Sequence, residues 1–470
     1  MPGFIHFCIV VALASALSLL VGKSNIDRTQ ADRLHDFNVT VVLLNWSRLP
    51  NVVKIVSEIC QNLLEDTVQS VVVWNNSPKT ISHQDFSNSL CPSDRLRIVN
   101  SPENLYFQAR YIACAEASTA YCFIQDDDFS IRPQIIKALN ARINQDAVPV
   151  IHLQPPHEML SSQLRTTVVG DKIHTTFAWL GYGTMLMRSR AVEFLSLLDR
   201  LKVTEEERKM ADNYFTILSN VIPERWFDEG IELGGGQAFT VGTEGDERNN
   251  RHIVRAAEIL DTLVSANQTN PLDLPFTSFA KETSEPSHVS RAPCHDKPCI
   301  FETSINLLPH KIGGSPTSAA EILGLEKDAL LILGEAGKSH YLEFPPSHAV
   351  DGRADTVFRS PQGANRDDYV ALDTTKSFSY VKDAELVFLV DPPTEIILRH
   401  SAFESSADGC VWNTWDRGLE CFDANFAKTV RLCKSSLSHV SGRYFRVRSL
   451  KPMQEKWGVF EMFVDIQSEE

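Results

Sequence analysis

Three consecutive carboxylates, Asp126, Asp127 and Asp128, follow the apolar run Ala120–Ile124, which reads AYCFI, with only Gln125 between. Carboxylates at i and i+2 of an extended segment project to the same side, and Mg²⁺ and Mn²⁺ prefer oxygen ligands. Asp126 and Asp128 have that spacing. Three adjacent acids repel one another unless a cation is near. A cation held there would act as a Lewis acid on a phosphate leaving group. The plainer readings are an acidic loop, or the N-cap of the helix that begins at Pro133.

The elements before the triplet set its position. Val39–Leu44 reads VTVVLL, a nearly continuous apolar run that predicts a strand buried on both faces. A helical pattern follows over about Val52–Leu64, then the strand QSVVVW, Gln69–Trp74, ending in the turn residues Asn75, Asn76, Ser77 and Pro78. Arg95–Val99 predicts a third strand, Leu105–Ala117 a helix, Ala120–Ile124 a fourth strand and Pro133–Asn144 another helix. The alternation predicts an α/β domain with a doubly wound sheet. Ligands bind at strand carboxyl ends in such sheets, and three of these strands end in polar residues: Asn45, Asn75–Asn76 and the Asp triplet.

Length and composition bound the rest. The chain has 470 residues, which favours two domains, and ordinary hydrophobic (43%) and charged (22%) content, as in a globular protein. The formal net charge is −15 and no strongly basic run occurs, which argues against a nucleic-acid partner. Phe4–Gly22 is uncharged and apolar, so residues 1–23 read as a cleaved signal peptide or a membrane anchor. Either one directs the chain into the secretory pathway. The 10 Cys fit an oxidising compartment, with Cys294 and Cys299 flanking a short loop and Cys410, Cys421 and Cys433 crowding the C-terminal part. N-glycosylation acceptors occur at Asn38, Asn45, Asn75 and Asn267; Asn45 and Asn75 sit at strand ends, which leaves Asn38 and Asn267.

Residues 266–300 are polar and Ser/Thr/Pro-rich and predict a linker. Beyond Cys299, short strands are expected at Leu330–Leu333, Tyr369–Leu372, Glu385–Val390, Glu395–His400, Arg443–Val447 and Val459–Asp465, an all-β sandwich over 301–470.

The segments VTVVLLNWSR, VVVWNN, NLYFQARY, FIQDDDF, GYGTMLMRS, MADNYFTILSN and RHIVRAAEIL lie in order between Val39 and Leu260. Together they resemble the exostosin-type glycosyltransferases. That resemblance implies a GT-A fold over 37–265 and retaining transfer of a hexosyl or N-acetylhexosaminyl group from a UDP-sugar, with Mn²⁺ or Mg²⁺ as the metal. The acceptor would be a glycan or glycolipid, in the Golgi or ER lumen, with membrane association if the leader is kept as an anchor. By position it implies Asn45 and Arg48 near the uracil or ribose, Asn75 and Asn76 holding the nucleoside, and Asn104 and Arg110 at the donor. Asp128 would ligate the metal together with Asp126, and Asp126 and Asp127 would lie near the ribose and sugar hydroxyls. Asp212 would lie by the reacting sugar carbon, and Arg251 or Arg255 near the diphosphate. The chain departs from the family in having Asn45-Trp46-Ser47-Arg48 where Tyr-Asn-Arg is common, and Ala211-Asp212-Asn213 in place of a paired acid.

The C-terminal segments HAVDGRADTVFRSP, DDYVALD, GRYFRVRSL and WGVFEMFVDI are similar to discoidin or coagulation-factor-type modules. Such modules bind carbohydrate, lipid or protein through loops at one end. Trp412 and Trp415 would stack on sugar rings or fill the sandwich core. The competing readings are a secreted, non-catalytic lectin-like protein and a glycoside hydrolase, which needs two carboxylates at a fixed separation across a cleft.

Overall fold

The computed structural model describes residues 38–466, apart from 146–147, 236–242, 280–288, 310–311, 313, 379–383, 416–417, 425–426 and 438–439. The expected leader at 1–23 lies outside the described residues. None of the described helices is long and apolar enough to cross a membrane.

The described residues open with β1 (Val39–Asn45), α1 (Leu49–Asn62), β2 (Val68–Asn75), β3 (Leu96–Asn100), α2 (Gln108–Ala115), β4 (Tyr121–Gln125) and α3 (Pro133–Gln145). Then come β5 (Val150–Gln154), α4 (Pro156–Leu164), β6 (Thr184–Met187), α5 (Arg188–Leu201), α6 (Glu205–Lys209), α7 (Asp212–Ser219), β7 (Glu224–Phe227) and α8 (Thr243–Thr269). β1 is the centre of this half because its side chains are apolar on both faces: Val39, Val41 and Val42 expose nothing. Val41 and Leu43 pack with α1 and α3 in one core, and Val42 packs with α2, α5 and α7 in the other. α1 has Pro50 in its first turn and a stripe of Val52, Ile55, Val56 and Ile59, the spacing that puts one helix face on a sheet. Each such side chain contributes about 1.5–3 kcal/mol when taken fully out of water.

β1 pairs in parallel with β2 and β4, and β2 with β3. β6 runs antiparallel between β4 and β5, so the sheet is mixed, with helices on both faces as expected. Two disulfides brace it: Cys60–Cys91 ties α1 to the segment before β3, and Cys114–Cys122 ties α2 to β4.

The second half comprises β8 (Ser290–Pro293), β9 (Ile300–Thr303), α9 (Ile322–Glu343), β10 (Phe358–Gly363), β11 (Tyr369–Phe378), β12 (Ala384–Val390) and α10 (Pro392–Arg399). It ends with β13 (Ser401–Ser406), β14 (Asn413–Thr414), β15 (Glu420–Ala424), β16 (Ala427–Ser436), β17 (Gly442–Ser449) and β18 (Lys456–Ile466). Five strands form one antiparallel sheet in the order β10-β18-β12-β16-β15. Its partner is no separate sheet. One 13-stranded sheet runs β14-β13-β17-β11-β9-β8-β7-β5-β6-β4-β1-β2-β3 across both halves. The joint is β8, which pairs with β7 on one side and β9 on the other. Residues 290–293 of the expected linker therefore hydrogen-bond into the sheet, and α8 carries helix to Thr269. α4 and Phe227 share a core with the sandwich residues Phe301, Phe358 and Trp457, so the halves are packed together.

Two expected strands are helical. Leu330–Leu333 lies within α9, and Glu395–Arg399 lies within α10. Asp391 caps α10, its carboxylate accepting from the Thr394 amide at 3.0 Å, and Pro392 starts the first turn. Those two signals outweigh the β-branched pair Ile396–Ile397. The loop cysteines Cys294 and Cys299 are bonded, as are Cys421 and Cys433. Trp415 packs edge-on to Phe403 and Phe445 in the core, whereas Trp412 lies under the Arg446 guanidinium, 3.7 Å from its ring centre.

Candidate active site

β1, β2 and β4 end side by side, and the register places Asn45 opposite Asn75. Asn45 Nδ2 donates to Asn75 Oδ1 at 2.7 Å, and Asn75 Nδ2 donates to Asn100 Oδ1 and to the Lys79 carbonyl, both at 2.8 Å. Asn75 is fully buried, so it ties three strand ends together. Asn100, at the end of β3, was not among the residues singled out by sequence; its signal was its place at the end of a short strand. Asn76 holds the next loop, accepting from the Leu105 amide at 3.1 Å and donating to the Tyr106 carbonyl at 3.2 Å. Asn104 caps that loop by accepting from the Tyr106 amide at 2.9 Å. Tyr106 there has a positive φ of 48°.

The Asp triplet emerges immediately after β4. Asp126 is held by a backbone bond from its amide to the Gly181 carbonyl at 2.8 Å, and the Asp128 carbonyl accepts from Leu233 at 2.8 Å. Gly181 is required by proximity, since a Cβ there would fall 2.1 Å from Asp126 Oδ2. Two arginines divide the acids. Arg48 Nη1 lies 2.7 Å from Asp127 Oδ1 and 3.7 Å from Asp128 Oδ2. Arg110, wholly buried on α2, reaches Asp126 Oδ1 at 2.6 Å and Asp212 Oδ2 at 2.9 Å. Tyr111, beside it in sequence, donates from its hydroxyl to Asp212 Oδ1 at 2.9 Å.

Asp212 is thus brought to the triplet by the first residue of α7 and the middle of α2. It is 1% exposed, and burial pushes its carboxyl up to about 6 against the pull of Arg110. Burial, then Asp126, pushes Asp128 up to about 6 as well, and burial raises Asp127. Burial alone would lower Arg110, but Asp126 and Asp212 more than offset it and hold the guanidinium above its usual range. The Asp126 and Asp128 side chains remain 31% and 29% exposed, enough to meet a ligand.

The donor set suits a hard divalent cation. Among the described residues no group of three or more His, Cys, Asp or Glu side chains converges on one point. Mg²⁺-like ions are commonly held by one or two carboxylates, the remaining positions falling to water and phosphate oxygens. Asp126 and Asp128 fit that part.

Other expected residues lie elsewhere. Arg255 is half-exposed on α8 and pairs with Glu207 at 3.0 Å and Glu258 at 3.7 Å. Arg251, four residues earlier, is exposed. The α8 residue beside the Asn104–Lys209 region is Arg248, which lines a second cavity of about 440 Å³ with Tyr106, Glu206 and Lys209. Trp46, directly after Asn45, is 51% exposed, whereas Trp74 is buried. An indole standing free beside the strand ends is unusual for an apolar side chain and offers a stacking face.

No protein-family model and no curated protein sequence matches the chain. Among solved structures it is similar to the mannosyltransferase PcManGT of Pyrobaculum calidifontis, in complex with GDP-Man and Mn²⁺. That match has 16% identity over 51% of this chain and 72% of that one, with a TM-score of 0.32. It is also similar to glucosyl-3-phosphoglycerate synthase of Mycobacterium tuberculosis, in complex with Mn²⁺, UDP-glucose and phosphoglyceric acid, with 11% identity, 51% and 85% coverage and a TM-score of 0.32. A module of Clostridium perfringens, CpGH89CBM32-5 in complex with GalNAc-β-1,3-galactose, matches 26% of this chain and 84% of its own, at 12% identity and a TM-score of 0.18.

Proposed function

We propose that the chain is a metal-dependent, retaining glycosyltransferase of GT-A type that takes a UDP-sugar donor and a glycan or glycolipid acceptor. The observation that carries this reading is the Arg110 bridge. It joins Asp126, at a strand end, to Asp212, far along the chain, in one charged cluster. Asp126 and Asp128 would hold Mn²⁺ or Mg²⁺, whose contribution is to neutralise the departing diphosphate. Asp212 is too buried to lie against a sugar, so it acts as a positioning residue: with Tyr111 it fixes Arg110, and Arg110 fixes Asp126. Arg48 orients Asp127 toward the donor side. Trp46 supplies a stacking face for the uracil.

In this reading the acceptor hydroxyl attacks the anomeric carbon from the face that UDP leaves. The new glycosidic bond forms as the bond to the β-phosphate oxygen breaks, and the hydroxyl proton passes to that oxygen. Disulfides and the acceptor sequences at Asn38 and Asn267 support a lumenal setting, in the Golgi or ER.

The test is Mn²⁺-dependent UDP release from a panel of UDP-sugars, with the product anomer read by NMR. The expected result is release that needs the metal, is lost in Asp128→Ala, and gives a product with the donor's configuration. Inverted product, or no metal-dependent turnover of any UDP-sugar, would overturn the reading.

A further inference from the structure

The sheet order sets β1, β2 and β3 on one side of β4 and β6 and β5 on the other. The chain of Asn45, Asn75 and Asn100 occupies the first side of the Asp triplet. On the second side, other segments reach the same edge. β6 runs antiparallel to β4, so the residues just before it stand at the carboxyl end of β4. Among them is Tyr182, next to the Gly181 carbonyl that holds the Asp126 amide at 2.8 Å. β5 is antiparallel to β6 in turn, so its carboxyl end lies at this edge, and α4 starts there with Pro156, His157 and Glu158.

Three rings form a stepped row that leads away from the triplet. Phe129, the residue after Asp128, has its ring centre 5.0 Å from that of Tyr182, and the His157 ring lies 6.3 Å from Tyr182 at a steep angle. The row is accessible: the His157 side chain is 62% exposed, and Phe129 and Tyr182 are half-buried. Burial, with Glu158, Asp128 and Asp126 behind it, pushes the Tyr182 phenol up, so its hydroxyl keeps the hydrogen and can donate. An amphipathic ring beside polar groups suits a sugar, which has an apolar CH face and a hydroxyl rim.

The charges around the row are of one sign. The Glu158 side chain is 21% exposed, and His157 Nε2 lies 3.9 Å from its carboxylate. Burial pushes that carboxyl up to about 7 against the pull of Arg165. Glu229, exposed in the turn after β7, lies within electrostatic reach of His157. The arginines nearby are already held by carboxylates: Arg165 by Glu326 at 2.7 Å, and Arg353 of the sandwich by Asp355 at 2.9 Å. A sugar hydroxyl can donate to Glu158, whereas a sugar carboxylate or sulfate would meet like charge.

We infer that this ledge seats the acceptor and that the acceptor ends in a neutral pyranose, with its apolar face against Tyr182 and His157 and a hydroxyl donating to Glu158. The inference rests on the transferase reading for its donor.

The experiment uses the full chain at pH 8, where most of Glu158 is ionised. Calorimetry first measures UDP uptake with Mn²⁺; its failure would remove the transferase reading and this inference with it. With UDP and Mn²⁺ bound, the protein is titrated with the methyl β-glycosides of glucose, galactose, N-acetylglucosamine and glucuronic acid, and binding is read by ligand-observed NMR. At least one neutral glycoside should bind saturably, and the glucuronide about fivefold or more weakly, the factor that one like charge a few ångströms away imposes even in water. Tyr182→Leu should weaken the neutral glycoside about tenfold while UDP uptake stays as in wild type. Glu158→Gln, which keeps the side chain's shape, should weaken the neutral glycoside and narrow its lead over the glucuronide, and it serves alone should the Leu protein not fold. With UDP taken up, three results would each overturn the inference and leave the transferase reading standing. They are no saturable binding of a neutral glycoside, glucuronide binding as tightly as the neutral sugars, or unchanged affinities in both variants.

Discussion

Replacing Arg110 by Met removes the one cation that Asp126 and Asp212 share. Asp126 can turn to water, since its side chain is 31% exposed, but Asp212 at 1% cannot. Removing one partner of a buried pair costs about 3–5 kcal/mol because a charge stays behind unpaired. Here the cost has a ceiling. Burial already pushes Asp212 up to about 6, so without Arg110 it takes up a proton near neutrality. The expected loss is therefore about 3 kcal/mol at pH 7, the low end of that range. Asp212→Asn leaves Arg110 with Asp126 and keeps an acceptor for Tyr111, so it should cost about 1–2 kcal/mol. The double variant has no stranded charge and should be less damaged than the sum of the singles by about 2 kcal/mol. Urea unfolding of the four proteins reads this directly. The pH dependence has a definite sign. An acid whose folded pKa is raised favours the folded state at low pH and loses that support as pH rises through the folded value. The Arg110→Met deficit should accordingly be smaller at pH 5 than at pH 8. Additivity within about 0.5 kcal/mol, or a deficit larger at pH 5, would refute the reasoning.

Gly181→Ala should displace the Asp126 carboxylate, since the new Cβ would sit 2.1 Å from its oxygen; Mn²⁺ titration should show weakened binding in a protein that still folds, as judged by circular dichroism. Removing the Cys114–Cys122 disulfide, which closes a separation of 8 residues, should cost about 2.5 kcal/mol by loop entropy and loosen α2 against β4, lowering both the melting temperature and the metal affinity. In the sandwich, burial pushes Glu461 up to about 8, with Asp351 adding to the effect, so the folded state keeps a proton that the unfolded chain gives up near pH 4.5. Its support for folding is full below that value and disappears as pH rises toward 8, and Glu461→Gln should therefore stabilise at pH 8.5 by on the order of 1–3 kcal/mol while changing little at pH 4, read as melting temperature at the two pH values.

Much of the first half was legible because its strands are apolar on both faces. VTVVLL, QSVVVW and AYCFI announce β1, β2 and β4, and the polar residues behind them mark the strand ends. The second half was less so. A short run such as Leu330–Leu333 has no periodicity that separates strand from helix, whereas Asp391-Pro392 before Glu395–His400 did carry a helix-start signal that its β-branched residues masked. The sheet's passage through β8 from one half to the other was hidden, because strand pairing between distant segments leaves no local trace in four residues. The structure brings Asp126 and Asp212 together through Arg110, which was expected at the donor and lies wholly buried beneath the acids. Arg255 and Asp212 were singled out by the same resemblance. Only Asp212 is joined to the triplet through Arg110, because α8 turns Arg255 toward Glu207.

The central claim, that Asp126 and Asp128 bind a divalent cation which in turn binds a nucleoside diphosphate, is tested most directly by calorimetry of UDP with and without Mn²⁺. Wild-type protein should take up one UDP per chain, at least tenfold more tightly with Mn²⁺ than without, and Asp128→Asn should erase the difference. Uptake of neither ligand, or an undiminished Mn²⁺ effect in Asp128→Asn, would contradict the account.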